Sequence, residues 1–248
     1  MLEKRRSEPP ARIFCLPFAG GSGIAFHGWQ DLSPDFEVIP VDYPGHLMRP
    51  NEGLAESMAE LVACLLDELD NLWERPFVLC GSSLGGLVAF ELARAAEAGG
   101  RAPEAVVVAA CAAPSRLPKH PPVAGFGDEE FLTAVSRRYG GPLAKLADDH
   151  EALELALPAL RADIGIFEAY AGSTPIPISS PLTAISGQTD PTVTYGDVAA
   201  WREFSTGNVR VASVPGDHFF MISEPHLVLQ EIRAAFRLPG ALPVNLRN

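Results

Sequence analysis

Within the 248 residues, the segment whose types and spacing most directly suggest chemistry is Gly81-Ser82-Ser83-Leu84-Gly85. It is a G-x-S-x-G with an apolar run, Val78 to Cys80, before it and a helical pattern, about Gly85 to Ala98, after it. A strand, a sharp turn and a helix in that order present a serine hydroxyl at the tip of the turn. The turn needs small residues two before and two after the nucleophile. Ser83 has Gly81 and Gly85 there, whereas Ser82 would have Cys80 and Leu84, so Ser83 is the candidate nucleophile. A serine hydroxyl is weakly nucleophilic at its own pKa and needs a base, and the base needs an orienting acid. In such sites the order along the chain is Ser, acid, His. Two histidines lie far enough on. His218, in Val-Pro-Gly-Asp-His-Phe-Phe, directly follows the apolar run Val209 to Val214; His226 begins the last helical pattern, where a surface or capping role accounts for it better. For the acid, Asp190 follows the run Leu182 to Ser186 through Gly187-Gln188-Thr189, while Asp197 reads as a helix cap or first-turn acid. Asp217 adjoins His218 in sequence, a placement that rarely reaches the neighbouring ring at the required geometry. Two backbone N–H groups should face the charge that develops on an attacked carbonyl. Leu84, next after the nucleophile, supplies one, and Ala19, in the Phe-Ala-Gly-Gly-Ser-Gly loop, supplies the other.

An alternation of elements must position these groups. Short apolar runs at Ile13 to Leu16, Phe36 to Val41, Phe77 to Cys80, Ala105 to Ala110, Leu182 to Ser186 and Val209 to Val214 read as strands. Helical spacing runs from Leu54 to Trp73, and further helices are expected at about Asp197 to Phe204 and Pro225 to Phe236, with a frayed tail after Leu238. This rhythm predicts a parallel sheet covered on both faces, because parallel strands need crossovers and helices supply them. Ser115 to Ser180 breaks the rhythm with helical pattern and no strand. About 65 residues is long for a crossover, so the segment reads as an inserted lid, with an ordinary helical excursion as the other reading.

Composition narrows the classes. Hydrophobic residues make up 47% and charged residues 20%, a globular balance. Nineteen Lys and Arg against 31 Asp and Glu leave a net charge of −12, which offers no footprint for a phosphate backbone and repels an anionic membrane surface. The start has no apolar run of signal length, and Ala105 to Ala113, the most apolar stretch, is about half a membrane span. Cysteines 15, 64, 80 and 111 form no C-x-x-C pair and no zinc spacing, so they read as reduced thiols, mostly buried, in a cytoplasmic protein. His27, His46, His120 and His150 are too scattered to hold a metal, and the Gly-rich loop is neither a dinucleotide fingerprint nor a phosphate loop with its lysine.

With these residues in place, the chain resembles the stand-alone type II thioesterases of polyketide and nonribosomal peptide synthesis over roughly residues 12 to 236. The resemblance rests on LPFAGGSG followed by Trp29, VDYPGH followed by Arg49, GSSLGG, DEEFL with YGG, LPALRADIGIFEAY, GQTDP and PGDHFF. Ser82 stands where such enzymes often have His, Leu84 where Met is common, and Asp217 where Gly is usual. The resemblance implies an α/β-hydrolase fold, with a mostly parallel central sheet flanked by helices and a helical lid insertion at about 115–180 in a single domain. It also implies a catalytic triad of Ser83, Asp190 and His218, no cofactor or metal of the enzyme's own, and acyl or peptidyl carrier domains as partners of a monomer. Two other readings of the same residues stand beside it: a generic serine esterase or lipase, and a non-catalytic ligand-binding protein of the same fold. Carrier domains are usually acidic, so a chain of net charge −12 should meet one through a local basic or apolar patch. Arg137, Arg138, Lys145 and Arg161 are candidates for it, unless they are solvated or paired within the chain.

Overall fold

The computed structural model describes residues 9, 11–140, 150–171 and 174–236. The expected frayed tail and Lys145 lie outside these residues, as does the side chain of His150. Six strands, β1 (Ala11–Leu16), β2 (Phe36–Pro40), β3 (Phe77–Ser82), β4 (Ala105–Ala109), β5 (Leu182–Gly187) and β6 (Val209–Val214), form one sheet in the order β2-β1-β3-β4-β5-β6. Every pairing is parallel. The parallel sheet predicted by the strand rhythm is therefore present, in the form that the α/β-hydrolase resemblance implies.

Alternation along the central strands divides the core into two layers. Phe14, Leu16, Phe77, Leu79, Val106 and Val108 point to one face. They meet α2 (Met58–Leu69), α3 (Leu84–Ala98) and Val198 of α6 (Tyr195–Ala199). Ile13, Cys15, Val78, Cys80, Val107 and Ala109 point to the other. There they meet Trp29 of α1 (Trp29–Leu32), α7 (Phe220–Ser223) and α8 (Pro225–Ala235). Both faces of β3 are thus apolar, which is why its residues read as a continuous buried run rather than an alternating one.

Between β4 and β5 stand α4 (Asp128–Tyr139) and α5 (His150–Tyr170). They enclose a third apolar cluster of Val123, Phe131, Val135, Leu160 and Ile164, with Ala19 packed against it. The C-terminal end of α5 has a second footing: Ile166 and Tyr170 enter the main core, and the Tyr170 hydroxyl donates to Glu91 on α3 at 2.6 Å.

Several boundaries differ from the sequence expectation, three of them as follows. The helix expected from Leu54 to Trp73 is α-helical only over Met58–Leu69. The Ser57 hydroxyl accepts the Glu60 N–H and sets its start, and a tighter turn, Asp70–Leu72, ends it. The helix expected from Asp197 begins earlier, at Tyr195: Thr194 is the cap and Asp197 the reciprocal third residue of a capping box. Finally, β2 stops at Pro40, one residue before the expected end, with the Val41 N–H still donating to the Cys15 oxygen at 2.9 Å.

Candidate active site

The strand order reverses between β1 and β3, so the loops leaving their C-terminal ends diverge and open a crevice, the usual ligand position in parallel sheets. Ala19 lies on the first of these loops and Ser83 on the second. Ser83 sits between β3 and α3 with φ 54° and ψ −117°, a conformation side-chain-bearing residues rarely adopt. The neighbours that hold this turn explain its glycines. A Cβ on Gly81 would lie 1.9 Å from the Gly85 carbonyl oxygen, and one on Gly85 would lie 2.3 Å from the Leu16 oxygen and 2.5 Å from that of Pro17. The second clash is with the end of β1, so Gly85 allows α3 to start directly against the neighbouring strand. The Ser83 N–H donates to Ala109 at 2.8 Å, and its carbonyl accepts from Gly86 at 2.9 Å, which fixes the turn at both ends.

Ser83, Leu84, Ala19 and His218 line one hollow, walled by Phe18, Val135, Tyr139, Leu160, Ile164, Phe167 and Phe219. Its walls come from the β1 loop, the elbow, the His218 loop and both helices between β4 and β5. The lining is almost wholly apolar, suited to a hydrocarbon chain. Among the described residues neither the Ala19 nor the Leu84 N–H donates to another group. The next two N–H groups of the β1 loop are engaged: Gly20 donates to Asp163 Oδ2 at 2.7 Å and Gly21 to the Phe18 oxygen at 2.8 Å.

His218 is 3% exposed and its Nδ1 lies 2.9 Å from Asp190 Oδ2. Burial alone would push the Asp190 carboxyl up. The hydrogen bond and charge of His218, with the N–H and hydroxyl of Thr192, outweigh it and hold the group below its ordinary value. Asp190 is thus ionised at neutral pH and fixes the ring with Nδ1 protonated and Nε2 free. The Tyr139 ring, 5.0 Å away, and the Phe219 ring, 5.3 Å away, pack against the imidazole. Ser83 Oγ and the ring share the hollow without a direct hydrogen bond, a looseness common in unliganded sites.

The other sequence candidates are elsewhere. The His226 side chain is 56% exposed, 3.8 Å from Glu224. Asp197 accepts from Lys119 at 2.8 Å and from Thr194. Asp217 accepts from the Phe219 N–H at 2.8 Å, a local turn contact. Of the proposed basic patch, Arg161 is engaged within the chain: its guanidinium donates to Ala124, Phe126 and Asp128 and lies 4.2 Å over the Phe131 ring. Arg138 donates to the Pro121 oxygen at 2.6 Å, and Arg137 is exposed. The cysteines are free, and burial pushes the Cys15, Cys80 and Cys111 thiols well up, so they stay protonated. Among the described residues no three His, Cys, Asp or Glu side chains converge as a metal site would need, and no helix is long and apolar enough to cross a membrane.

Two features were not legible beforehand. Thr192, two residues past Asp190, touches both Asp190 and His218. And a buried pair, His46 and Asp163, joins α5 to the core: His46 Nε2 lies 2.9 Å from Asp163 Oδ2, the same oxygen that takes the Gly20 N–H. Nδ1 of His46 lies 3.0 Å from the Pro44 oxygen. Both ring nitrogens face acceptors, an arrangement that favours the imidazolium form of His46. Burial opposes this charge, but the Asp163 hydrogen bond and charge, with Pro44 and Asp42, raise the pKa above its ordinary value. The pair is 117 residues apart in sequence, and no spacing signal could have found it.

The chain is similar to known proteins along most of its length. Gramicidin S biosynthesis protein GrsT of Aneurinibacillus migulanus is 31% identical over 229 residues, covering 92% of this chain and 89% of GrsT. RedJ, a thioesterase from the prodiginine biosynthetic pathway in Streptomyces coelicolor, superposes with a TM-score of 0.82 at 32% identity, over 93% of this chain and 87% of RedJ. BorB, the type II thioesterase from the borrelidin biosynthetic cluster, gives 0.80 at 30% identity, over 95% and 94%. The family model for the thioesterase domain matches residues 11–236, from the first residue of β1 to the residue after α8, and the chain belongs to the thioesterase family.

Proposed function

We propose that the chain hydrolyses acyl groups from the phosphopantetheine arm of acyl or peptidyl carrier domains, clearing stalled or wrong chains in polyketide or nonribosomal peptide synthesis. The observation that carries the reading is Ser83, held at φ 54° at the end of β3, sharing one apolar hollow with a histidine that Asp190 orients. The relatives' biosynthetic settings support the choice of substrate.

The acyl chain lies in the hollow and the helices between β4 and β5 serve as its lid. Ser83 Oγ attacks the thioester carbonyl carbon while His218 Nε2 takes the hydroxyl proton. Negative charge gathers on the carbonyl oxygen and is received by the Ala19 and Leu84 N–H groups. The C–S bond breaks, and the sulfur leaves as a thiol with the proton returned by His218. Water then attacks the acyl-serine, His218 again taking and returning a proton, and the free acid departs. Asp190 stays ionised throughout and stabilises the imidazolium. No cofactor of the enzyme's own enters these steps; the pantetheine arrives with its carrier. The protein acts as a cytoplasmic monomer, with no nucleic acid or membrane as partner.

Mass spectrometry of acylated carrier proteins incubated with the enzyme and with Ser83→Ala tests the reading. Release by the wild type alone is expected. No release across short, long and branched acyl groups would overturn it, and a several-hundredfold preference for ordinary esters over carrier thioesters would make the protein an esterase.

A further inference from the structure

The Asp190 loop brings a third side chain to the contact between Asp190 and His218. Thr192 is buried, with Oγ1 2.8 Å from Asp190 Oδ1 and 3.0 Å from His218 Nδ1. An ionised carboxylate only accepts, so the single hydroxyl hydrogen goes to Oδ1 and an oxygen lone pair is left facing the imidazole. Nδ1 must then carry its hydrogen, shared between Asp190 Oδ2 at 2.9 Å and Thr192 Oγ1 at 3.0 Å. Carboxylate, hydroxyl and ring N–H close a small cycle, and in the neutral imidazole the atom left unprotonated is Nε2.

The local turn does not require this hydroxyl. Asp190 Oδ1 already accepts the Thr192 N–H at 2.8 Å and the Val193 N–H at 3.1 Å, the backbone bonds of an Asx-turn, and these persist with any residue but proline at position 192. What the hydroxyl adds is directed at the histidine. The Tyr139 and Phe219 rings pack against the imidazole, and Asp190 and Thr192 are its only hydrogen-bonding partners among the described residues.

We propose that Thr192 is a positioning residue for the reaction, its hydroxyl holding the ring plane and the Nδ1–H tautomer of His218 against Asp190. The proposal rests on the reading of Ser83, Asp190 and His218 as the reacting set.

The test compares Thr192→Val, which keeps the shape and the backbone bonds, with Thr192→Ser, which keeps the hydroxyl. In Thr192→Val, kcat on a short acyl thioester should fall about tenfold with KM within about twofold, the size expected for one hydrogen bond to a group that becomes charged. Phosphonylation of Ser83 by a fluorophosphonate should slow in parallel, and the low-field proton signal of the His218 Nδ1–H should broaden or move upfield. Thr192→Ser should recover the rates to within about threefold, together with the signal. If Thr192→Val does not fold, Thr192→Ala makes the same comparison against serine. A folded hydroxyl-free variant that is phosphonylated at the wild-type rate with an unmoved signal overturns the proposal, as does a serine variant as slow as valine. A wild-type enzyme that fails to label at Ser83 would overturn the reading of the site itself, and the proposal with it.

Discussion

Replacing Asp163 with alanine removes one oxygen that serves two partners, Gly20 N–H at 2.7 Å and His46 Nε2 at 2.9 Å, with the His46 and Asp163 side chains 4% and 3% exposed. Taking away one member of a buried, hydrogen-bonded charge pair costs about 3–5 kcal/mol, because the surviving charge has neither water nor partner. The orphaned Gly20 N–H accounts for about 1–3 kcal/mol if it stays buried. Against a total stability of about 5–15 kcal/mol, Asp163→Ala should unfold at clearly lower urea concentration and melt about 6–20 °C lower. The charge on His46 adds a pH signature. Its pKa is raised in the folded state, so its contribution is complete below the unfolded value of 6.5 and is lost as pH rises through the folded value. The stability difference between wild type and His46→Ala should therefore shrink from pH 6.5 upward. Urea titrations followed by circular dichroism, on both single variants and the double variant, measure this directly. An Asp163→Ala protein within about 1 kcal/mol of wild type, or a double variant whose cost is the sum of the singles, would refute the account of the pair.

Three further outcomes follow from contacts around the hollow. Gly85→Ala places a methyl within 2.3 Å of the Leu16 oxygen, so it should abolish acyl release and cost at least the ~1–3 kcal/mol of an overpacked core, read from activity and a melting curve. Leu160→Ala deepens the apolar hollow and should raise kcat/KM for octanoyl relative to butyryl thioesters; an unchanged ratio would show that the acyl chain lies elsewhere. Arg137→Glu should slow turnover of carrier-bound substrate and spare a small soluble thioester, whereas Arg161→Ala should lower the melting point and affect both substrates alike.

What the sequence disclosed was what is local. Gly81 must clear Gly85 within the same turn, and the apolar runs beside Ser83, Asp190 and His218 mark the strand ends that bring them together. Helix ends were less legible. Leu54 continues the apolar spacing of α2, but the Ser57 cap starts the helix after it. Charge was least legible. Arg161 looks like an unclaimed cation because two of its partners are the carbonyls of Ala124 and Phe126, and backbone acceptors carry no mark in a sequence. The His46 and Asp163 pair is hidden because its members lie 117 residues apart and no local pattern links them. Thr192 lies between: its place beside Asp190 is plain, but the histidine it faces comes from a loop 26 residues further on.

The Gly20 hydrogen bond has a thermodynamic consequence. Gly20 follows the proposed oxyanion donor Ala19, and Asp163 lies on α5 between Leu160 and Ile164, which wall the hollow. Whatever draws α5 away from the sheet at this point also releases the peptide next to Ala19, and whatever seats a chain against α5 holds that peptide in place. Occupancy of the hollow and alignment of the donor are therefore linked quantities, each shifting the other by the same free energy. An acyl group that fits badly would be met by a slack donor as well as a poor pocket, so discrimination among chains would be written into the rate of attack as much as into affinity.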